Sequence, residues 1–248
     1  MIEVPQIKNN INEVFTVKNA GLNNAEVYFY GDIVSDSWGA WTDEDQYPDS
    51  INKLLRDCQG KDLDIYINSG GGDVFAGMAI CNIFKRHSGY KTVHVDGLAA
   101  SVASAIALTG DKVIIPENAF LMLHKPWSKN TGNANDHRKE AEVLDTIQEG
   151  MLSVYEKHLR EGVTRETIED MLNVETWLTG KQAAEFFDIE VSEEKQIMAC
   201  ADLSRFKNAP KNITVKAAHS HDDKQNAAKA AKIKSLCISA LTKGVCDI

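Results

Sequence analysis

Apolar and polar residues alternate in short blocks over most of the chain, and these blocks predict strands separated by helices. Strict alternation and short apolar runs predict strands at Ala25–Tyr30, Leu63–Asn68, Lys91–Val95, Lys112–Ile115 and Phe120–Leu123. Helical spacing predicts helices at Asp49–Cys58, Val74–His87, Ala99–Leu108, Asn135–Arg160, Arg165–Leu172 and Lys181–Phe186. This order is typical of an α/β fold with largely parallel strands, in which active sites lie at the carboxyl ends of the strands.

Composition and charge narrow the classes of function. The chain has 248 residues, of which 43% are hydrophobic, and its 27 basic and 36 acidic residues give a net charge of −9. Such an acidic chain is a poor general binder of nucleic acid or anionic membranes, and no apolar run approaches the roughly 18 residues of a membrane span. Because its start lacks a basic region followed by an apolar one, we expect no secretory signal.

The cysteines favour a cytoplasmic protein. They are odd in number, widely scattered and without a CxxC pair, at positions Cys58, Cys81, Cys200, Cys237 and Cys246. This pattern is typical of reduced thiols rather than of a zinc ribbon or a disulfide framework.

Charge also divides the chain. From residue 209 to the end there are seven lysines but three aspartates, so a basic tail follows an acidic body. This tail predicts an extension outside the main domain that is basic and flexible or partly helical. We divide the chain into an N-terminal segment of residues 1–22, one domain of residues 23–195 and an extension of residues 196–248.

Three glycines follow the second predicted strand and precede a helix. In the run from Asn68 to Asp73, Gly70, Gly71 and Gly72 allow the backbone to approach a ligand and direct loop amides outwards, as an oxyanion cradle requires. The run matches neither GxGxxG nor a loop ending in GK[ST], which disfavours a nucleotide site. Taken alone, a tight turn explains these glycines more simply.

A serine and a histidine lie at the ends of later strands. Ser101 stands near the start of an apolar helix, where helix amides and the helix dipole favour developing negative charge. A serine among alanines is, however, usually a packing residue. His124 closes the strand Phe120–Leu123, a position that suits proton transfer.

A serine–histidine pair needs an acid that orients the imidazole. Glu175, close to Trp177, and Asp170 are the two candidates in the following segment. Either residue can equally be an ordinary surface carboxylate.

Four motifs in this order resemble the Clp protease proteolytic subunit, the ClpP family of serine peptidases. They read NSGGGDVFAGMAI, DGLAASVASAIALTGDKV, AFLMLHKPW and ETWLTGKQAAEFFDI, and the resemblance extends from about Glu26 to Val191. Within the family, the segments 28–33, 132–136 and 175–177 resemble the head-maturation proteases of phages and prophages.

The resemblance implies a role for each matching residue. Ser101 falls on the nucleophile of a serine endopeptidase and His124 on its general base, while Gly72 and Val102 fall on the residues whose amides form the oxyanion hole. Glu175 falls on the third member of the triad, where housekeeping members have aspartate and phage-type relatives commonly have glutamate. Asp170 is the alternative candidate for this acid. No metal or organic cofactor is implied.

The resemblance also implies an architecture and partners. The ClpP/crotonase-like fold repeats β-β-α units and carries a protruding handle helix, which joins two seven-membered rings into a tetradecamer. Polypeptides are the implied substrates, and capsid and scaffold proteins are the implied targets of the phage type. The alternative is general protein turnover with an AAA+ unfoldase, although residues 1–22 do not resemble the family's axial loops.

Two other classes of function stay open. A crotonase-like acyl-CoA enzyme shares the fold and a backbone oxyanion hole, but the presence of both Ser101 and His124 argues against it. A catalytically inactive ring that serves in assembly is compatible with the glutamate at position 175.

Overall fold

The computed structural model describes residues 24–37, 45–193 and 203–210. Their strands are β1 Asn24–Tyr30, β2 Asp62–Ser69, β3 Lys91–Ala100, β4 Lys112–Pro116, β5 Phe120–Leu123, β6 Thr176–Thr179 and β7 Glu190–Ser192. Their helices are α1 Pro48–Asp57, α2 Val74–Arg86, α3 Val102–Ala107, α4 Ala134–Tyr155, α5 Arg165–Val174 and α6 Gly180–Phe186. The predicted segment 1–22 and most of the predicted extension 196–248 lie outside the described residues, so their boundaries stay predictions.

The described strands form one branched sheet, and this confirms the predicted α/β fold with largely parallel strands. The order is β1-β2-β3-β4-β7, with parallel neighbours throughout. The long strand β3 pairs with β4 through Thr92–His94 and with β5 through Leu98–Ala100. Strand β5 then pairs antiparallel with β6. The branch brings the ends of β2, β3 and β5 to one place in the molecule.

The core is formed by the sheet, helices α1, α2 and α3, and buried residues of α4, α5 and α6. Alternate residues of β2, namely Leu63, Ile65 and Ile67, are buried, as the period-2 pattern predicts. Helix α3 is buried along its whole length, which explains its run of small and apolar residues. Each large apolar side chain removed from water contributes about 1.5–3 kcal/mol, so the core holds the strand ends rigidly.

Helix α4 corresponds to the predicted helix Asn135–Arg160, which the family resemblance implies is the handle, but it ends at Tyr155 and the 3₁₀ helix Glu156–His158 follows. The N-cap of α4 is Asn133, whose side chain accepts hydrogen bonds from the amides of Asn135 and Asp136. The buried residues of α4 all lie between Met151 and Tyr155. The preceding turns are largely exposed. Neither this helix nor another within the described ranges is long and apolar enough to cross a bilayer.

The predicted boundary between the strand from Lys91 and the helix that follows it is wrong. The alanine-rich stretch from Ala99 predicts a helix, but Ala99 and Ala100 belong to β3, where they pair with Leu121 and Met122 of β5. Both alanines are fully buried, and their small side chains fit between strands β3 and β5 and the layers packed against these strands. The helix begins only after Ser101, which therefore stands at the junction of strand and helix.

Candidate active site

Ser101 occupies a strained turn between β3 and α3. Its φ of 56° and ψ of −132° are unusual for a residue with a side chain and cost on the order of 1–3 kcal/mol. The Ser101 amide donates a hydrogen bond to the carbonyl of Met122 at 2.9 Å, and the hydroxyl of Ser104 donates to the carbonyl of Ser101 at 2.6 Å. These contacts fix the strained residue to β5 and α3.

His124 directly follows β5 and faces the serine. Its Nε2 lies 2.7 Å from Oγ of Ser101, within the range for direct proton transfer. Burial lowers the pKa of His124, the charge of Glu175 opposes that change, and Arg205 and Lys207 lower the pKa further. Because the net direction is downwards, the imidazole is neutral near pH 7 and able to accept a proton.

The glycine loop is held against the same turn. The amide of Ile33 donates to the carbonyl of Gly71 at 2.9 Å, and the amide of Asp73 donates to the carbonyl of Ile33 at 2.8 Å. A Cβ atom on Gly72 would lie 2.0 Å from the carbonyl oxygen of Ile33, and one on Gly71 would lie 2.7 Å from Cβ of Ser101. Both positions have positive φ, so this close approach requires glycine.

Two backbone amides are candidates for an oxyanion hole. Gly72 lines a cavity together with Ser101 and His124. Val102 is the first residue of α3, and its amide is one of the N-terminal groups that a helix leaves without an intrahelical acceptor. The structure thus places both predicted residues beside the serine.

Glu175 is hydrogen-bonded to a later segment of the chain. Its Oε1 accepts from the amide of Asn208 at 2.6 Å and from the indole of Trp177 at 3.3 Å, and its Oε2 accepts from the amide of Lys207 at 3.1 Å. Burial raises the pKa of Glu175, but these amide and indole hydrogen bonds bring it below its usual value. The side chain is therefore ionised near neutral pH.

The structure separates the two candidate acids. Glu175 ends α5 in the left-handed conformation, with φ of 54°, and lines a cavity of about 610 Å³ together with His124. Asp170 is exposed on α5. Glu175 is thus the acid whose charge acts on the imidazole, while its two carboxylate oxygens accept hydrogen bonds from the amides of Lys207 and Asn208.

A largely apolar cavity of about 400 Å³ opens beside Ser101. The glycine loop and His124 form one side of it. The other walls are mostly apolar side chains of α2, α4 and the segment after β5, among them Val74, Phe75, Trp127, Val143, Ile147 and Met151. Arg205 and Phe206 also line the cavity. Trp127 and the first residues of α2 lie within the sequence motifs. The residues of α4 lie outside these motifs, so their contribution to the cavity follows from the tertiary fold alone.

Residues 203–210 also contact the site, and the sequence gives no indication of this. The ring of Phe206 packs edge-to-face on His124, with centroids 5.9 Å apart, and on Trp177, with centroids 5.5 Å apart. The guanidinium of Arg205 binds Asp32 through two hydrogen bonds. The local sequence is polar and without periodicity. Its single aromatic residue, Phe206, does not by itself predict a contact with the site.

Comparison with known proteins supports the resemblance. The model of the Clp protease family matches residues 42–187, more than half of the chain and the part that contains Ser101, His124 and Glu175. ATP-dependent Clp protease proteolytic subunits from two strains of Bacteroides fragilis are 28% identical to the chain over 130 residues. This alignment covers 51% of the chain and 61% of one relative, or 58% of the relative from strain YCH46. The chain thus spans about six tenths of these curated relatives, and it belongs to the Clp protease family.

Proposed function

We propose that this chain is a serine endopeptidase. The observation that carries the proposal is the hydrogen bond of 2.7 Å between Nε2 of His124 and Oγ of Ser101. It joins a serine on a strained turn to a histidine that burial keeps neutral. The family match over residues 42–187 supports a peptidase over a crotonase-like acyl-CoA enzyme.

In the proposed reaction, His124 takes the hydroxyl proton of Ser101 while Oγ attacks the carbonyl carbon of a peptide bond. The amides of Gly72 and Val102 bind the oxyanion of the tetrahedral intermediate. His124 then gives the proton to the leaving amine, and water hydrolyses the acyl-enzyme by the same route. Each oxyanion donor contributes a factor of about 10²–10³ to the rate.

Glu175 is the proposed third member of the triad. A carboxylate that accepts the second ring N–H of histidine fixes the tautomer and stabilises the imidazolium that forms during the reaction. The negative charge of Glu175 already favours the protonated form of His124. In the active form, we infer that the carboxylate bonds to His124 in place of the amides of Lys207 and Asn208.

Extended polypeptides are the proposed substrates. The cavity beside Ser101 is walled by apolar side chains, which suits an apolar side chain of an unfolded chain or short peptide. The exposed turns of α4 support the proposal that this helix joins two rings, with seven subunits in each. Enclosure within such a chamber would exclude folded proteins.

Processing of capsid and scaffold proteins is the biological role that we propose. The segments 28–33, 132–136 and 175–177, which resemble the phage type, support it. The alternative role is that of a proteolytic subunit in an ATP-dependent Clp complex, which is the name carried by the relatives from Bacteroides fragilis. Cleavage of a phage capsid or scaffold protein, without an unfoldase and without ATP, would distinguish the two roles.

An inactive assembly ring is the second candidate function. The observation that favours it is the hydrogen bonding of Glu175 to Lys207 and Asn208, which leaves the triad incomplete. The two candidates predict different results in a peptidase assay.

The experiment is hydrolysis of fluorogenic peptides with apolar residues, by the wild type, His124→Ala and the control variant Ser153→Ala. Ser153 is exposed on α4. The peptidase proposal predicts activity that Ser153→Ala retains and His124→Ala loses. Equal activity in wild type and His124→Ala would contradict the proposed mechanism. No activity in any form, the variants Asn208→Pro and Phe206→Ala included, would favour the assembly ring.

A further inference from the structure

The segment Arg205–Asn208 is anchored at both ends of the candidate site. At one end, Nη2 and Nη1 of Arg205 lie 2.6 Å and 3.1 Å from the carboxylate oxygens of Asp32, a bidentate geometry that is among the stronger ion pairs. Asp32 directly precedes Ile33, which is hydrogen-bonded to the glycine loop. The segment therefore starts beside the loop that carries the proposed oxyanion amide.

Phe206 fills the middle of the segment. The residue is 9% exposed, and its side chain packs in an apolar cluster with Leu98, Met122 and Trp177. This cluster lies on the opposite side of β3 and β5 from the main core. The cluster thus contains a pocket for one aromatic side chain, immediately beside the imidazole of His124.

The other end of the segment binds the candidate acid. Amides of Lys207 and Asn208 donate to the two carboxylate oxygens of Glu175, and the side-chain amide of Asn208 donates to the carbonyl of Val174 at 2.7 Å. Hydrogen bonds to a charged acceptor are roughly twice as strong as neutral ones. The segment therefore holds Glu175 by the oxygens that His124 would need.

We propose that Met122, Trp177 and Glu175 form a peptide-binding subsite whose built-in ligand is the segment Arg205–Asn208. The state in which this segment occupies the subsite is a latent form of the enzyme. The subsite would bind peptides that contain a basic residue, an aromatic residue and two further residues whose backbone amides can donate hydrogen bonds. Release of the segment frees the Glu175 carboxylate for His124. The proposal of latency rests on the proposed peptidase function, whereas the docking does not.

The test uses full-length variants that weaken the segment at separate anchors. Asn208→Pro removes the amide that donates to Glu175, and Asn208→Ala is its matched control because it keeps that amide. Phe206→Ala empties the aromatic pocket and is an independent variant should proline disturb the fold. The readouts are the rate of fluorogenic peptide hydrolysis and hydrogen exchange at the amide of Lys207.

We expect slow exchange at Lys207 in the wild type and fast exchange in Phe206→Ala. We expect peptide hydrolysis about tenfold faster in Asn208→Pro than in Asn208→Ala, which corresponds to the loss of one hydrogen bond to a charged group. A synthetic peptide with the sequence of residues 203–210 should inhibit the Phe206→Ala variant, and the same peptide with alanine for phenylalanine should not.

Fast exchange at Lys207 in the wild type would overturn the docking. Protected exchange together with slower hydrolysis in Asn208→Pro and Phe206→Ala would overturn latency, because the segment would then be a support for Glu175. No hydrolysis in any variant would overturn the proposed peptidase function and the latency that rests on it, while hydrogen exchange would still decide the docking.

Discussion

The imidazole Nε2 of His124 lies 2.7 Å from the hydroxyl oxygen of Ser101. The pairing of β3 with β5 produces this distance, because Ala100 is in register with Met122 and the two side chains follow these strands. The Ser101 amide bonds to the Met122 carbonyl, so the backbone fixes the separation of nucleophile and base.

The pH dependence of hydrolysis should report the environment of His124. Burial lowers its pKa, Glu175 raises it, and Arg205 and Lys207 lower it, while the ring of Phe206 that packs on it carries no charge. The base works only when neutral, so a lowered pKa extends activity to more acidic conditions. The acidic limb of kcat/KM should therefore have its midpoint below about 6.5, the ordinary value for histidine.

Two variants test whether each neighbouring charge raises or lowers the pKa of His124. Glu175→Gln removes a charge that raises the pKa, so the midpoint should fall further. Lys207→Met removes a charge that lowers the pKa, so the midpoint should rise. A wild-type midpoint at or above 6.5, or shifts of the opposite sign, would contradict this description of the site.

Gly72→Ala should reduce kcat by about 10²–10³-fold, the effect of losing one oxyanion donor. The new Cβ atom would meet the carbonyl oxygen of Ile33 at 2.0 Å, so the loop must move and carry its amide away. Gly60→Ala is the matched control, because Gly60 also has positive φ but no atom within 4 Å of the added Cβ. The control should lose about 1 kcal/mol of stability and keep its kcat in the same peptide assay.

Trp127→Ala should raise KM for peptides with apolar residues by about tenfold, with a smaller change in kcat. Trp127 lines the cavity beside Ser101 and is exposed, so its loss removes binding surface without opening the core. Tyr90→Ala is the control, since Tyr90 is also an exposed aromatic residue and does not line this cavity. A fall in kcat with unchanged KM would show that Trp127 does not contact substrate.

The buried hydrogen bond between Ser104 and Tyr155, at 2.8 Å, should stabilise the helix that follows Ser101. In Ser104→Ala, the fully buried Tyr155 hydroxyl loses its partner, which costs about 1–3 kcal/mol. Tyr155→Phe should cost less, because Ser104 still donates to the carbonyl of Ser101. Urea denaturation of both single variants and the double variant measures the free energies of unfolding. Additive decreases in these free energies would show that the two hydroxyls are not coupled.

The sequence predicts the central sheet well because its strands carry strong local patterns. The run Phe120–Leu123 is predicted with the bounds that the structure shows, and it places His124 at a strand end. Strands β6 and β7 are missed, since their four and three residues are too few for a periodic signal. They are defined by pairing, β6 with β5 and β7 with β4.

The segment that binds Glu175 is beyond sequence reasoning for a physical reason. Lys207 and Asn208 bind Glu175 through backbone amides, which every residue except proline possesses, so side-chain identity carries no record of the contact. The same holds for Gly72 and Val102, whose proposed roles follow from the family resemblance and not from residue type.

Labelling by a fluorophosphonate, followed by mass spectrometry of the modified peptide, tests the assignment of Ser101 as the nucleophile. The serine, paired with His124, should form the covalent adduct in the wild type, and Ser101→Ala should remain unlabelled while Ser153→Ala is labelled normally. A label that persists in Ser101→Ala, or that maps to another residue in the wild type, would contradict the assignment.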